Sequence, residues 1–310
     1  MLITFRFFAA VFILLFCSLF CSAQQHTVAL TFDDLPAIGT TDVVEANAIN
    51  LAILHSLDRH NAPATGFVIE ERVHEIGDIP GKKILRQWVQ HHHDLGNHSF
   101  SHPDFDKLTV EQIEQEIVLG EKSLSEILRE VGKTPRYFRF PMNHTGDTPS
   151  KHAAAASFLA QRGHKLAVCT IDNEDYAFSE AYLLMLSKKD KVSAKRLRED
   201  YLAYTSAGID YYSTLNKEVL GYEPPHVMLL HVNRLNADMV DAVMSLFEQK
   251  HYTFVTLDKA YADPAFAIPD TFVTPYGPMW GYRWAAERGV KVNGKLELEP
   301  PAWILDYGKK

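Results

Sequence analysis

Residues 96–103 read Gly96-Asn97-His98-Ser99-Phe100-Ser101-His102-Pro103 and give the first indication of how the chain folds. The two histidines lie four residues apart, and imidazole is a frequent neutral metal ligand in proteins. With fifteen His among 310 residues, about one such pair is expected by chance, so the pair alone is weak support for a site. Pro103 pushes His102 out of the α region. The stretch therefore predicts a strand that ends in a loop, where sites on α/β scaffolds are commonly built.

A second polar strand end lies near the N-terminus. Residues 27–32 form an apolar, β-branched run that ends at Asp33 and Asp34 and is followed by Pro36. Two adjacent carboxylates are also common in a simple turn. Together with the two histidines, however, one carboxylate completes a metal-ligand set and the other is free to act as a base. These residues alone leave open which aspartate has which role.

Strands and helices alternate along the rest of the chain. Further strands are predicted at residues 63–69, 94–98, 136–140, 166–171, 227–231 and 253–257. Helices are predicted at residues 43–58, 81–92, 109–129, 153–162, 180–202 and 239–249. This α/β alternation predicts a parallel sheet. Periodicity does not distinguish a closed barrel from an open doubly wound sheet.

Five short motifs occur in the order found in a known family. They are Thr31-Phe32-Asp33-Asp34, His98-Ser99-Phe100-Ser101-His102, Arg139-Phe140-Pro141, Asp172-Asn173-Glu174-Asp175-Tyr176 and Leu229-Leu230-His231. With these motifs the chain resembles the polysaccharide deacetylases (NodB homology domain, carbohydrate esterase family 4) over about two thirds of its length. The resemblance implies a distorted (β/α)7 barrel related to the TIM barrel. All five motifs fall at the carboxyl ends of predicted strands, the face that carries chemistry in barrel enzymes.

The resemblance also implies a role for the polar groups of the first three motifs. Asp34, His98 and His102 would bind a divalent metal ion, and zinc is the expected ion for two imidazoles and one carboxylate. Asp33 would act as the general base. Arg139 would orient Asp33 and hold it ionised, since a neighbouring cation depresses the pKa of a carboxylate.

The last two motifs imply a general acid and contacts to substrate. His231 would protonate the leaving amine, and Asp175 would keep His231 protonated, with Asp172 as the alternative partner. The residues expected to contact substrate are Met142, through its backbone amide as an oxyanion donor, Tyr176 and Leu229.

The chain departs from the family pattern beside its motifs. Leu35 stands where Gly is common, Tyr176 where Trp is usual, and Met142-Asn143-His144 where an aromatic-Gly pair is usual. No reacting group is lost, but these changes put the family's usual substrate groove in doubt. Asn143 and His144 are expected either to contact substrate or to face solvent.

Both ends of the chain are expected to lie outside the barrel. Residues 1–23 combine Arg6, an apolar run and a small-residue cleavage site, as in a secretory signal peptide, with a retained membrane anchor as the alternative. Residues 24–260 are assigned to the catalytic barrel, and residues 261–310 to an aromatic-rich extension that packs on it. Stacking on sugar rings is the alternative for the aromatic residues of that extension, which are Tyr276, Trp280, Tyr282 and Trp284. Residues 188–222 are expected to be an addition that shapes the cleft.

Composition narrows the class of function. The net charge of −8 becomes −9 once Arg6 is removed, which disfavours nucleic acid and anionic membrane surfaces as partners. Signal cleavage would leave Cys169 as the single cysteine, so no intramolecular disulfide is expected. We expect an exported hydrolase, periplasmic or extracellular and without stable membrane insertion, that removes N-acetyl groups from a peptidoglycan-like or chitin-like polysaccharide. An O-acetyl esterase acting on a glycan and an inactive carbohydrate-binding barrel are the alternatives.

Overall fold

The computed structural model describes residues 26–309, so the expected signal peptide lies outside the described residues. Within this range, no helix is both long enough and apolar enough to cross a membrane. The strands are β1 (Thr27–Leu35), β2 (Ala64–Val68), β3 (Asp94–Asn97), β4 (Tyr137–Phe138), β5 (Lys165–Leu166), β6 (His226–His231) and β7 (Thr253–Phe254). The α-helices are α1 (Val43–Arg59), α2 (Glu70–Ile76), α3 (Asp78–Gln90), α4 (Val110–Leu119), α5 (Lys122–Glu130), α6 (Pro149–Gln161), α7 (Asp175–Ser187), α8 (Lys191–Leu220), α9 (Arg234–Gln249), α10 (Leu257–Ala260), α11 (Trp280–Glu287) and α12 (Ala302–Leu305).

The strands form one parallel sheet in which β1 pairs with three others, β2, β6 and β7. Their order is β5-β4-β3-β2-β1-β6, and β7 pairs with the start of β1. Beyond β5, Ile171 forms a single parallel bridge to Met228 of β6, which brings the two ends of the sheet together. The sheet is therefore curled into a distorted, partly closed barrel.

The two faces of the sheet belong to different hydrophobic clusters. On β1, Leu30 and Phe32 belong to the large core that also contains residues of the surrounding helices. Ala29 faces the other way and belongs to a smaller cluster with Phe67 and Val227, on the face that the curled sheet encloses. Because side chains alternate along a strand, this inner face of β1 continues through Thr31 to Asp33.

The expected helix at residues 109–129 is wrong in one respect, because the structure divides it into α4 and α5. The division occurs at Gly120, where a Cβ atom would lie 2.5 Å from Asn97 Oδ1. Asn97, at the end of β3, also donates a hydrogen bond to the Ile117 carbonyl at 2.8 Å. Contact with the strand that leads into the histidine loop therefore ends α4.

The C-terminal extension packs against α8 and the barrel. Trp284 is buried, with its ring 5.4 Å from that of Phe266. The Trp280 amide donates to the Cys169 carbonyl at 2.8 Å, and the Tyr282 hydroxyl lies 2.6 Å from that of Tyr211 on α8. Tyr276, by contrast, is exposed. The expected helix at residues 180–202 corresponds to parts of α7 and the much longer α8.

Candidate active site

The polar residues of the five motifs meet at one edge of the sheet. Asp33 and Asp34 lie in the last residues of β1, and His231 is the last residue of β6. The His98 amide continues the β3 pairing by donating to the Val68 carbonyl, and the Arg139 amide donates to the Asn97 carbonyl. Since the strands are parallel, their carboxyl ends bring these side chains together.

Asp34, His98 and His102 form a cluster suited to a metal ion. One ligand atom from each lies within 4.8 Å of the others, and Asp34 Oδ1 is 3.7 Å from His98 Nε2 and 3.6 Å from His102 Nε2. His98 Nδ1 lies 2.9 Å from the Arg139 carbonyl, which directs Nε2 toward the aspartates. Burial lowers the pKa of His98 to about 4, so its ring is neutral near pH 7, the form that binds metals.

An unpartnered atom supports the same interpretation of this cluster. Among the described residues, Asp34 Oδ1 is buried without a hydrogen-bond partner. A buried carboxylate oxygen without a partner is costly, and coordination to a cation removes that cost. The residues present therefore fit a divalent ion with a nitrogen and oxygen ligand set.

Asp33 is held by a buried arginine. Arg139 Nη1 donates to Asp33 Oδ1 at 2.7 Å and to Thr31 Oγ1 at 2.9 Å, and its guanidinium lies 4.2 Å from the centre of the Phe67 ring. Burial raises the pKa of the Asp33 carboxyl, but the charge and the hydrogen bond of Arg139 oppose burial, and this pKa is held below its usual range. Asp33 is therefore ionised near pH 7 although it is buried.

His231 pairs with the first residue of α7. Its Nδ1 lies 2.5 Å from Asp175 Oδ1, and its amide donates to Asp175 Oδ2 at 2.9 Å. Burial alone would lower the pKa of His231, but the Asp175 charge and hydrogen bond raise this pKa to about 10. A protonated imidazole at neutral pH can donate a proton.

Of the two carboxylates considered as partners of His231, the hydrogen-bonded one is Asp175. Asp172 Oδ1 instead accepts a hydrogen bond from the Glu174 amide nitrogen at 2.9 Å. Burial and the neighbouring Glu174 charge raise the pKa of Asp172 to about 7.

The three residues expected to contact substrate differ in exposure. Met142 is 46% exposed and lies on a turn with a φ of 56°, beside the strand-end site. Tyr176 is 53% exposed, and its ring centre lies 6.1 Å from that of His231. Leu229 is only 5% exposed and lies two residues before His231, on the same face of β6.

The structure places His144 differently from either sequence expectation. Its side chain neither faces open solvent nor points freely into the cleft, because Nδ1 lies 2.8 Å from Asp104 Oδ1 and 3.4 Å from Asp106 Oδ2. These carboxylates lie some 40 residues earlier in the chain, so local sequence gave no indication of the pairing.

Two residues to which the sequence pattern assigned no role, Thr31 and Asn236, hold the reactive groups in place. Thr31 donates to the Met228 carbonyl at 2.6 Å while accepting from Arg139, so it joins β1, β6 and the guanidinium. Asn236 donates both to Asp175 and to the His231 carbonyl. Their positions in the sequence could have indicated these roles. Thr31 lies two residues before Asp33, on the same face of β1. Asn236 lies one helical turn after Asn233, the residue that caps α9.

Comparison with known proteins gives both a family match and distant relatives. Residues 22–161 match the family described as polysaccharide deacetylase. The chain is similar to peptidoglycan-N-acetylglucosamine deacetylase PgdA of Listeria monocytogenes, with 23% identity over 238 residues, or 76% of this chain and 39% of that protein. It is also similar to a chitin deacetylase of Arthroderma benhamiae, with 30% identity over 152 residues, or 48% of this chain and 35% of that protein. The chain thus spans less than half the length of these curated relatives.

Solved structures share the fold. Polysaccharide deacetylase Bc1974 from Bacillus cereus has a TM-score of 0.54 at 20% identity, covering 74% of this chain and 91% of that one. BA3943 from Bacillus anthracis, a CE4 family pseudoenzyme, has a TM-score of 0.52 at 15% identity, covering 76% of this chain and 66% of that one. These likenesses confirm the expected α/β barrel.

Proposed function

We propose that the chain is a metal-dependent hydrolase that removes N-acetyl groups from a peptidoglycan-like or chitin-like polysaccharide, in line with the match of residues 22–161 to the polysaccharide deacetylase family. One observation carries the proposal. The Arg139–Asp33 pair and the Asp175–His231 pair lie at the same sheet edge as the Asp34, His98 and His102 cluster. A base, an acid and a bound metal ion together supply the water activation, carbonyl polarisation and leaving-group protonation that hydrolysis of an unactivated amide by a metal-bound water needs.

Asp33 is the base in this proposal. When bound by Asp34, His98 and His102, a zinc ion or similar divalent cation would supply a Lewis acid and lower the pKa of a water molecule. Asp33 Oδ2 lies 3.4 Å from His98 Nε2, so it is beside the ligand set and can accept the proton of the attacking water. The hydrogen bond from Arg139 to Asp33 Oδ1 fixes the carboxylate and keeps it ionised.

His231 is the acid. An amine leaves readily only when it is protonated, and the pKa of about 10 keeps the proton on His231 at neutral pH. Asp175 orients the ring through Nδ1, which leaves Nε2 to donate its proton to the departing nitrogen. Ester cleavage needs less assistance of this kind, so the His231–Asp175 pair favours an amide substrate over an O-acetyl ester.

Three residues complete the substrate contacts. We assign the Met142 amide to the oxyanion that develops on the acyl oxygen, since Met142 follows the Arg139 motif on an exposed turn. Leu229 lies beneath His231 and would contact the acetyl methyl group. Tyr176 is exposed beside His231 and offers an aromatic face to a sugar ring.

The test is release of acetate from a panel of acetylated glycans by zinc-loaded protein. Peptidoglycan fragments, chitin oligomers and acetylated xylan separate the amide substrates from the ester. Acetate from the amino sugars is the expected result. Release from xylan alone would make the protein an esterase, and no release from any member would favour an inactive binding barrel.

The proposed substrate lies outside the cytoplasm, which requires export. Removal of residues 1–23 would leave Cys169 as the single thiol. Intact-mass analysis of protein from the native cell envelope tests this step. A mass that includes residues 7–20 would indicate a tethered enzyme.

A further inference from the structure

A second cluster of metal-ligating side chains joins two turns beside the proposed active site. Asp104 and Asp106 lie just after the histidine loop, and His144 lies just after Met142. One ligand atom from each of the three lies within 4.8 Å of the others. His144 Nδ1 is 2.8 Å from Asp104 Oδ1 and 3.4 Å from Asp106 Oδ2.

Asp106 supplies an independent observation that points to a ligand. Its side chain is only 9% exposed, yet within the described part of the chain neither carboxylate oxygen has a hydrogen-bond partner. The Gly146 amide lies beside this carboxylate, and His144 Nδ1 lies 3.4 Å from its Oδ2. Burying a carboxylate whose oxygens accept no hydrogen bond costs free energy, and a cation bound to those oxygens would offset that cost.

The two neighbouring lysines, Lys107 and Lys151, contact oxygens other than those of the Asp106 carboxylate. Lys151 Nζ donates to the Asp106 carbonyl at 2.6 Å and pairs with the Asp147 carboxylate at 2.8 Å. Lys107 Nζ lies 3.0 Å from Asp104 Oδ2, the oxygen that faces away from His144. The Asp106 carboxylate is thus left facing His144.

We propose that Asp104, Asp106 and His144 bind a second divalent cation of the zinc class. Bonds of about 2.0–2.2 Å in tetrahedral geometry place ligand atoms roughly 3.3–3.6 Å apart. The 3.4 Å between His144 Nδ1 and Asp106 Oδ2 already fits, and the 2.8 Å to Asp104 Oδ1 would lengthen when the ion binds. One imidazole with two carboxylates favours zinc over calcium, which prefers oxygen ligands. Because a metal binds only the unprotonated imidazole nitrogen, any proton on His144 Nδ1 is released to solvent on binding. The bound ion links the turn after His102 to the turn that carries Met142.

Zinc stoichiometry of the full chain tests this site without any assay of activity. Zinc is titrated into metal-free protein by calorimetry, and bound zinc is then counted by mass spectrometry after dialysis. We expect two equivalents in the wild type and one in His98→Ala/His102→Ala, which retains only the second site. Asp106→Asn should also bind one, whereas the control Asp147→Asn, which changes a carboxylate in the same loop, should keep two.

Several outcomes would overturn the proposal. One equivalent in the wild type would mean that His144 forms a plain ion pair with the two aspartates. Two equivalents in both Asp106→Asn and His144→Ala would place the second ion elsewhere. If the single variants unfold, circular dichroism reveals it, and zinc binding by His98→Ala/His102→Ala then decides the question. Because that variant lacks the proposed catalytic ion, its result is independent of the deacetylase proposal.

Discussion

The proposed active site has two sides that are built in different ways. The strand-end side consists of Asp33, His98, Arg139 and His231, which the paired backbone of the sheet places directly. The outer wall consists of the turn at residues 142–145, Tyr176 and the C-terminal extension, which meet through contacts between distant parts of the sequence. In the proposed function, the reacting groups thus lie at paired strand ends, and the groups that would contact substrate lie on turns and on the extension, which are the kind of segment that varies most among related proteins.

The extension illustrates how the outer wall is held. Gly277 packs so closely on the Met142 turn that a Cβ atom there would lie 1.9 Å from the Met142 carbonyl oxygen. Arg283 is buried and donates to Thr145 Oγ1 at 2.9 Å and to Asp270 at 2.7 Å. The position of the Met142 turn therefore depends on residues more than 130 positions later in the chain.

Substitutions on the strand-end side should lower turnover the most. His231→Ala should lower turnover of N-acetyl substrates by about 10²–10⁴-fold, because the departing amine loses its proton donor. An activated aryl acetate needs no such donor and should be affected far less. Rates on both substrates, measured at full zinc occupancy, check this. Equal losses on the two substrates would remove His231 from the acid role.

Asp175→Asn should have a smaller effect and a distinct pH dependence. Burial lowers the pKa of His231 and Asp175 raises it to about 10, so loss of the Asp175 charge moves this pKa down, toward or below the ordinary value of about 6.5. The protonated acid is then lost at lower pH, and the alkaline limb of the rate profile should move down in pH. At neutral pH we expect a loss of about 10²-fold. An unshifted alkaline limb would contradict the pairing.

Substitutions in the outer wall should lower turnover less than those on the strand-end side. Gly277→Ala forces the Met142 turn to move, and we expect a loss of about 10-fold in kcat with the ion at Asp34, His98 and His102 retained, below the 10²-fold that a 1 Å misplacement can cost. Gly294→Ala is the matched control in the same extension, because its Cβ would meet only an ordinary contact at 3.7 Å. If both variants behave alike, the extension does not position the turn.

The sequence was most informative on the strand-end side for a physical reason. The strands β1 and β6 are continuous apolar runs, and each leads directly into reactive residues at its carboxyl end. Position along the chain was then nearly sufficient to place Asp33 and His231 together, since parallel strands share one edge.

The short strands and the contacts between distant segments could not be predicted in the same way. The strands β4, β5 and β7 have only two residues each, where five or six were expected, because the curled sheet has few regular hydrogen bonds there. The break at Gly120 depends on contact with Asn97, and the position of His144 depends on Asp104. Such contacts join segments far apart in sequence, which local periodicity does not report.

In the proposed function, the two adjacent aspartates have different roles: Asp33 is the base and Asp34 is a metal ligand. Measuring zinc content and acetate release together tests this division of roles. Zinc content and acetate release are measured on the same preparations of Asp33→Asn and Asp34→Asn, which change one oxygen to nitrogen and preserve shape. Both variants should lose at least about 10²-fold in acetate release, but only Asp34→Asn should lose its catalytic zinc. Loss of that zinc in Asp33→Asn, with retention in Asp34→Asn, would contradict the account.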